Sequence, residues 1–319
     1  MTTIFLATLA PGIARARSSG GDWTVEVVLP EVDVRCLAAD PVQPMRVWAG
    51  TQGQGMLVSD NAGVTWASVG LDGRIVKAIT ATPDGRIYAG TKPPLIFVTE
   101  DGGRSWAELS SFRRKRQFFW FSPAERPFTA YVLGLAAADD TIVAGIEAGA
   151  VLRSRDRGAS WEGHRKGALR DCHGLAVGAD GRFVEAGGTG GGAAYSTDRG
   201  NSWRRPSGHG RHYGWAVGVD VADPSVWYFS SAPGIRAHSE DADAAIYRCD
   251  GSGVCTELGG GLPSPMKAMP YALVTGPEPN QVTAGMSDGQ VWESRDAGMN
   301  WSLRGHVPAV NRAMIRLDI

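Results

Sequence analysis

An eight-residue string recurs along this chain and constrains its fold more than any other feature. Ser154-Arg155-Asp156-Arg157-Gly158-Ala159-Ser160-Trp161 returns in full from Thr99 to Trp106 and from Ser196 to Trp203. It returns with one substitution from Ser59 to Trp66, where Asn61 replaces the Asp, and from Ser294 to Trp301, where Asn300 replaces the Ser. Each copy reads Ser/Thr-x-Asp-x-Gly-x-Ser/Thr-Trp. Short side-chain oxygens accept nearby backbone N–H bonds and close a turn. The Gly supplies a positive φ at little steric cost, and the Trp buries a large ring. The residues assigned to structure on this basis are Asn61, Trp66, Asp101, Trp106, Asp156, Trp161, Asp198, Trp203, Asp250, Asp296 and Trp301.

Each copy follows a short apolar segment, such as Val151-Leu152 or Val291-Trp292. Upstream of that lies a segment ending in Ala-Gly, as in Val47-Trp48-Ala49-Gly50-Thr51 and Ile87-Tyr88-Ala89-Gly90-Thr91. Earlier still comes a third, such as Cys36-Leu37-Ala38 or Gly174-Leu175-Ala176. One unit is therefore expected to be four short strands, the last carrying Trp. Repetition of such a unit predicts an all-β chain built by radial repetition. The pattern resembles the Asp-box, or bacterial neuraminidase, repeat of β-propellers. That resemblance covers nearly the whole chain and implies a propeller hairpin. Its members include sialidases, other glycoside hydrolases, sorting receptors and photosystem assembly factors, so it does not fix an activity.

The gap between Trp203 and Trp301 has room for two units, and a worn copy fits within it. Arg248 to Cys255 keeps Asp250 and puts Cys255 where Trp is expected. A second worn copy, Ala16 to Trp23, has lost the Asp. Ile4 to Thr8, Gly12 to Arg15 and Trp23 to Val27 then supply three strands of a unit lacking its innermost one. Arg312 to Leu317 reads as that missing strand. We therefore expect a seven-bladed β-propeller, residues 1–319, whose last blade joins three N-terminal strands to one C-terminal strand; six blades with loose ends is the competing count. Units of about 46 residues fit a normal blade.

Composition adds boundaries. The chain has 43 Gly and 11 Trp, as hairpin turns and blade anchors require, and a net charge of −1, which argues against a nucleic-acid binder. It holds no apolar run of about 18 residues that would span a membrane. Met1 to Ala10 lacks a basic leading segment and is needed as a strand, so we expect a cytoplasmic chain. Its 4 Cys fit a reducing compartment. Cys36 and Cys172 are expected to be buried, and Cys249 and Cys255, which flank one turn, are expected as two thiols rather than a bridge.

In propellers of this kind the repeated turns lie on the bottom rim, and ligands usually meet the opposite face. The first residues of the innermost strands form an expected ring at the channel mouth: Arg35, Lys77, Leu133, His173, Trp215, Tyr271 and Arg312. Three cations and a His in one place are costly without a counter-charge, for which Glu147 is the internal candidate. An anionic small molecule or an acidic protein segment would suit them; solvated channel-lining side chains are the bland alternative.

The insertion at 110–130 carries Arg113 to Arg116 followed by Phe118 to Phe121. We read it as aromatics packed on the blade with solvated charges, a lid or contact being the alternative. His209, His212 and His238 are weak metal candidates, because their spacing matches no metal motif. Glu240, Asp241 and Asp243 lie beside His238. Sialidases announce their first catalytic Arg in a Phe/Tyr-Arg-Ile-Pro segment, and this chain has none; Glu125-Arg126-Pro127-Phe128 is misplaced and misordered. Asp171 with Glu147, or His173 with Glu147, are the available acid–base groups. The sequence therefore points to a monomeric binding or assembly module without a cofactor, with a sialidase-type glycoside hydrolase or another acid–base enzyme as the alternative.

Overall fold

The computed structural model describes residues 2–115, 120–122 and 126–319. The expected Arg116, Phe118 and Phe119 of the insertion lie outside the described residues. The described residues form seven antiparallel sheets. The described helices are Ser110–Arg113 and the 3-10 turn Ile235–His238. The fold is a seven-bladed β-propeller.

The chain falls into two compact units, residues 1–163 with 311–319, and residues 164–310. The first holds four sheets. Its terminal sheet runs Met314–Asp318, Thr3–Thr8, Ile13–Ser19, Asp22–Val28, so the chain ends share one blade as expected. Thr3 pairs with Asp318 and Ala7 with Met314. Arg312 and Ala313 precede that strand rather than opening it, as the sequence suggested. They are fixed instead by Thr8, whose Oγ1 accepts their N–H groups at 3.1 and 3.0 Å. The strand alternation buries Ile4 and Leu6 with Val34, Val47, Ala49 and Leu57 in one core cluster.

The second unit holds the sheets that begin at Cys172–Val177, Tyr213–Val219 and Pro270–Thr275. Its largest cluster gathers Tyr228, Ile246, Met269, Leu273, Val282 and Trp301. Among the described residues, two sheets have three strands rather than four. In these the outermost strand shrinks to a single bridge, Arg153 to Glu162 and Tyr195 to Arg204.

The repeated turns have the expected chemistry. Ser154 Oγ accepts the Gly158 N–H at 2.8 Å and donates to Asp156 Oδ1 at 2.8 Å, while Asp156 Oδ1 also accepts the Ser160 N–H at 2.8 Å. Arg157 and Gly158 stand at φ 56° and 91°, which is why Gly occupies the second position. Asn61 performs the same task, accepting the Thr65 N–H at 2.9 Å. The tryptophans precede the outermost strands rather than lying on them. Trp66, Trp203 and Trp301 each fold back to donate Nε1–H to their own turn's Gly carbonyl, at 3.0, 3.2 and 2.9 Å. Trp106 instead donates to Val69 O at 2.6 Å, and Trp161 packs edge-on to Phe112 with ring centroids 5.0 Å apart.

Cys249 and Cys255 correct the sequence reading. They face each other across a hairpin, Cα atoms 4.0 Å apart, and form a disulfide rather than two thiols. The bond takes over where the other turns use a ring: Cys255 is 4% exposed and Cys249 fully buried. Spacing alone could not choose between thiols and bridge; the direct pairing of the two residues decides it.

Two outcomes follow. Reduction, or Cys255→Ser, should lower unfolding free energy by about 2 kcal/mol, the loop-closure value for so short a ring; equal denaturant midpoints with and without reductant would contradict it. Hydrogen bonds also hold acids of the turns low. The Ser105 hydroxyl and N–H bring Asp101 down to about 2, and Asp198 reaches about 2 because bonds from Ser202 and Ser196 outweigh its burial. A depressed carboxylate stabilises the fold above its ordinary range and ceases to do so as pH falls to its folded value. Stability should therefore drop between about pH 4 and pH 2, and Asp198→Asn, which mimics native Asn61, should flatten part of that drop in denaturant melts.

Candidate functional site

The expected site residues divide between the units, and each group has its own chemistry. In the first unit, a cationic group surrounds Cys36 and Tyr131. Arg35 follows Val34 at the start of the strand Val34–Ala39, its side chain 11% exposed, and pairs with Asp33 at 2.9 Å. Lys77, in Ile75–Ala81, is 2% exposed, with its ammonium 5.0 Å from the centre of the Tyr131 ring. Lys92, 4% exposed, approaches the same ring at 5.5 Å. The tyrosine face thus receives two ammoniums, an attraction that grows as water is removed.

Arg312 is half-buried. Its location beside Arg35 and Lys77 shows in the field at Cys36. Burial pushes that thiol up to about 12, while the charges of Lys77, Arg312 and Arg35 pull against it. Glu147 is buried and donates its backbone N–H to Tyr131 O at 3.0 Å, which places it on the same ring's residue. Leu133 lies in the strand Val132–Ala138 and supplies no polar group. The structure therefore brings Arg35, Lys77 and Arg312 into one neighbourhood. It adds Lys92 and Tyr131, which sequence reasoning missed. Lys92 ends a repeat strand and Tyr131 precedes one, so neither occupies a position the alignment of first residues could mark.

In the second unit, His173, Trp215 and Tyr271 meet in an aromatic group. Trp215 is its centre, with ring centroids 4.7 Å from His173, 4.9 Å from His238 and 5.3 Å from Tyr271. Tyr213 joins them, 5.1 Å from His173, because residues two apart on a strand share a face. His238 bridges the two phenols: its Nε2 is 2.9 Å from Tyr213 Oη and its Nδ1 2.7 Å from Tyr271 Oη. Both ring nitrogens are thus engaged, which takes His238 away from the metal-ligand role considered for it. His209 and His212 lie elsewhere in this unit, centroids 5.5 Å apart, with His209 edge-on to Phe229 and Tyr247. Asp243 pairs with Arg211 at 2.9 Å.

His173 is the buried member. Its Nδ1 meets Gly214 O at 2.8 Å, which fixes the proton on Nδ1, and its Nε2 lies 3.6 Å from Asp171 Oδ1. Burial lowers its pKa, outweighing the opposing pull of Asp171 and Gly214. Burial thus favours the neutral imidazole, with Nε2 turned toward Asp171.

No protein-family model matches the chain, and no curated protein does either. Solved structures match it in fold. YCF48 from Cyanidioschyzon merolae is 13% identical with TM-score 0.60, each chain covered to 86%. YCF48 bound to D1 peptide is 15% identical with TM-score 0.57, covering 84% of this chain and 83% of that one. An ancestral GH74 enzyme is 17% identical with TM-score 0.62, covering 84% of this chain but 38% of its own. At these identities the likeness concerns the propeller fold.

The state of His173 is checkable by NMR titration. Its midpoint should fall below that of an ordinary histidine. Because the unfolded chain protonates there first, His173 should cost stability as pH falls below the ordinary value of 6.5. A midpoint at or above that value would contradict the burial argument.

Proposed function

We propose that this chain is an Asp-box propeller, a monomer working as a single domain, that binds an anionic small molecule or an acidic protein segment without catalysing a reaction. The observation that carries the reading is the gathering of Arg35, Lys77 and Arg312 in a chain whose net charge is −1. Like charges held together are costly, and an arriving anion recovers that cost. Arg35 and Arg312 present planar forks suited to carboxylates, and buried Lys77 supplies a fixed charge. Asp33, paired with Arg35 at 2.9 Å, is the internal group against which an incoming carboxylate competes.

The aromatic group of the second unit supports a binding role in its own right. Trp215, Tyr213 and Tyr271 are each half-buried, so their rings offer flat apolar surface with hydroxyls at the rim. YCF48 is a propeller with a structure bound to a peptide. An acidic peptide is the corresponding expectation here. The Cys249–Cys255 disulfide supports a reading of the compartment. Such bonds persist where surroundings oxidise, and we place the working chain there rather than in the cytoplasm expected from sequence.

The test is titration of the full chain with an oligo-glutamate peptide, against oligo-glutamine. Glutamate should bind and weaken with added salt. Arg35→Ala and Arg312→Ala should each weaken it about tenfold. Equal binding of the two peptides, or unchanged affinity in both variants, would refute the assignment. Turnover of a fluorogenic glycoside, lost on changing Glu147 or Tyr271, would replace it with the hydrolase reading.

A further inference from the structure

In the second unit the strand Phe183–Gly187 breaks the repeat at one position. Opposite Leu37, Ile79, Leu135 and Leu273 the second strands carry Ala49, Ala89, Ala144 and Ala284. Opposite Leu175 stands Glu185. It is fully buried between Leu175 and, on the next strand, Ala194. Its Oε1 accepts the Leu169 N–H, and its Oε2 has no hydrogen-bond partner among the described residues. Burial pushes Glu185 up to about 8, opposed by the Leu169 bond and by the charge of Arg205. At pH 7 it is mostly neutral, so Arg205 keeps its charge uncompensated.

The same strand runs into a glycine-rich turn at 188–192, interrupted by Thr189. Gly190, Gly191 and Gly192 have φ 77°, 112° and 82°, a run that side chains resist. A Cβ on Gly190 would stand 2.9 Å from Arg205 Nη2, so the guanidinium lies directly on the turn's backbone. Arg205 and Arg170 are exposed, with no ion pair among the described residues. Arg165 is held nearby on Asn201, through Nη2 to Oδ1 at 2.9 Å and Nε to O at 3.2 Å. His164 senses all three arginines. Burial first, then Arg170, Arg165 and Arg205, draw it down to about 4. Three guanidiniums and an imidazole therefore share one neighbourhood, in which the fully buried Glu185 carries little charge and the Asp171 carboxylate lies at the far end of the turn, against Gly188.

We propose that Arg170 and Arg205, with His164 beside them and the glycine turn beneath, form a site for a tetrahedral oxyanion, a phosphoryl or sulfo group. Guanidinium forks match such oxygens in pairs. The consecutive glycines 190–192 let the ligand approach the backbone, whose amides add donors. Arg165, anchored on Asn201, contributes field rather than a contact. The site shares no residue with the Arg35, Lys77 and Arg312 group and is inferred independently of it.

The experiment is a sulfate titration of the full chain, with His164 followed by NMR and sodium chloride at matched ionic strength as control. Sulfate stays a dianion around the His164 midpoint, so its own ionisation does not confuse the result. Saturable binding should raise the His164 midpoint by about one unit or more, since an adjacent anion favours the imidazolium. Arg205→Ala and Arg170→Ala should each weaken sulfate about tenfold, as expected for a lost charge-assisted contact. Arg35→Ala should leave it unchanged. Denaturant midpoints check that both variants stay folded, and Arg205→Lys, which keeps charge but loses the fork, should fall between wild type and Arg205→Ala. A phosphate monoester tighter than sulfate identifies phosphorylated molecules as the source, and a sulfate ester tighter than phosphate the reverse. Equal His164 shifts in chloride and sulfate, or undiminished affinity in both alanine variants, would overturn the proposal.

Discussion

The ladder between Met314–Asp318 and Thr3–Thr8 is the constraint on which the rest of the first unit depends. Each strand alone would leave an edge of unpaired backbone groups. Joined, they bury Ile4, Leu6 and Leu317 with the cluster around Val34 and Ala49. The joint also determines chemistry. Thr8 Oγ1 receives two N–H groups from Arg312 and Ala313, so the terminal pairing places a cation near Cys36. Closure and site are one arrangement in this unit, because the same backbone bonds produce both.

The repeated turns are a different kind of device. Their acids accept hydrogen bonds from groups two to four residues away, and so are occupied before any ligand arrives. That Asn61 substitutes for an aspartate, making the same bond to Thr65 N–H, shows that the turn needs an acceptor and not a charge. A carboxylate whose oxygens are filled by local donors is a poor general base. The residues that define the repeat are thereby separated from those available for binding.

This separation explains what was legible in the sequence. The turn strings and the spacing of apolar segments carried the sheets, the shared terminal blade and the inner-strand positions of Arg35, Lys77, His173, Trp215 and Tyr271, since each rests on local pattern. Local pattern could not show that Tyr213 and His238 join Trp215, because one lies within a strand and the other in a 3-10 turn joined to it by side-chain bonds alone. Nor could it show two lysines on the Tyr131 ring. The position of Arg312 before its strand also escaped, as the hydroxyl of Thr8 rather than any hydrophobic period fixes that boundary. Cys255 was recognised as an altered Trp position, yet its bond to Cys249 depends on their being direct partners across the hairpin.

Departures from a repeat therefore carry more chemical information than its consensus. An alanine between packed strands costs little to bury. A glutamate in the same register must lose its hydration, and it pays with a raised proton affinity instead of folding as an anion. Arg205 stands within reach of that acid's field yet lies on the glycine turn, not in an ion pair with it. Were Glu185 present only to neutralise Arg205, direct pairing would be the lower-energy arrangement, as it is for Arg35 with Asp33 at 2.9 Å. Holding the acid apart from the guanidinium leaves Arg205 charged and exposed while Glu185 stays buried and mostly neutral.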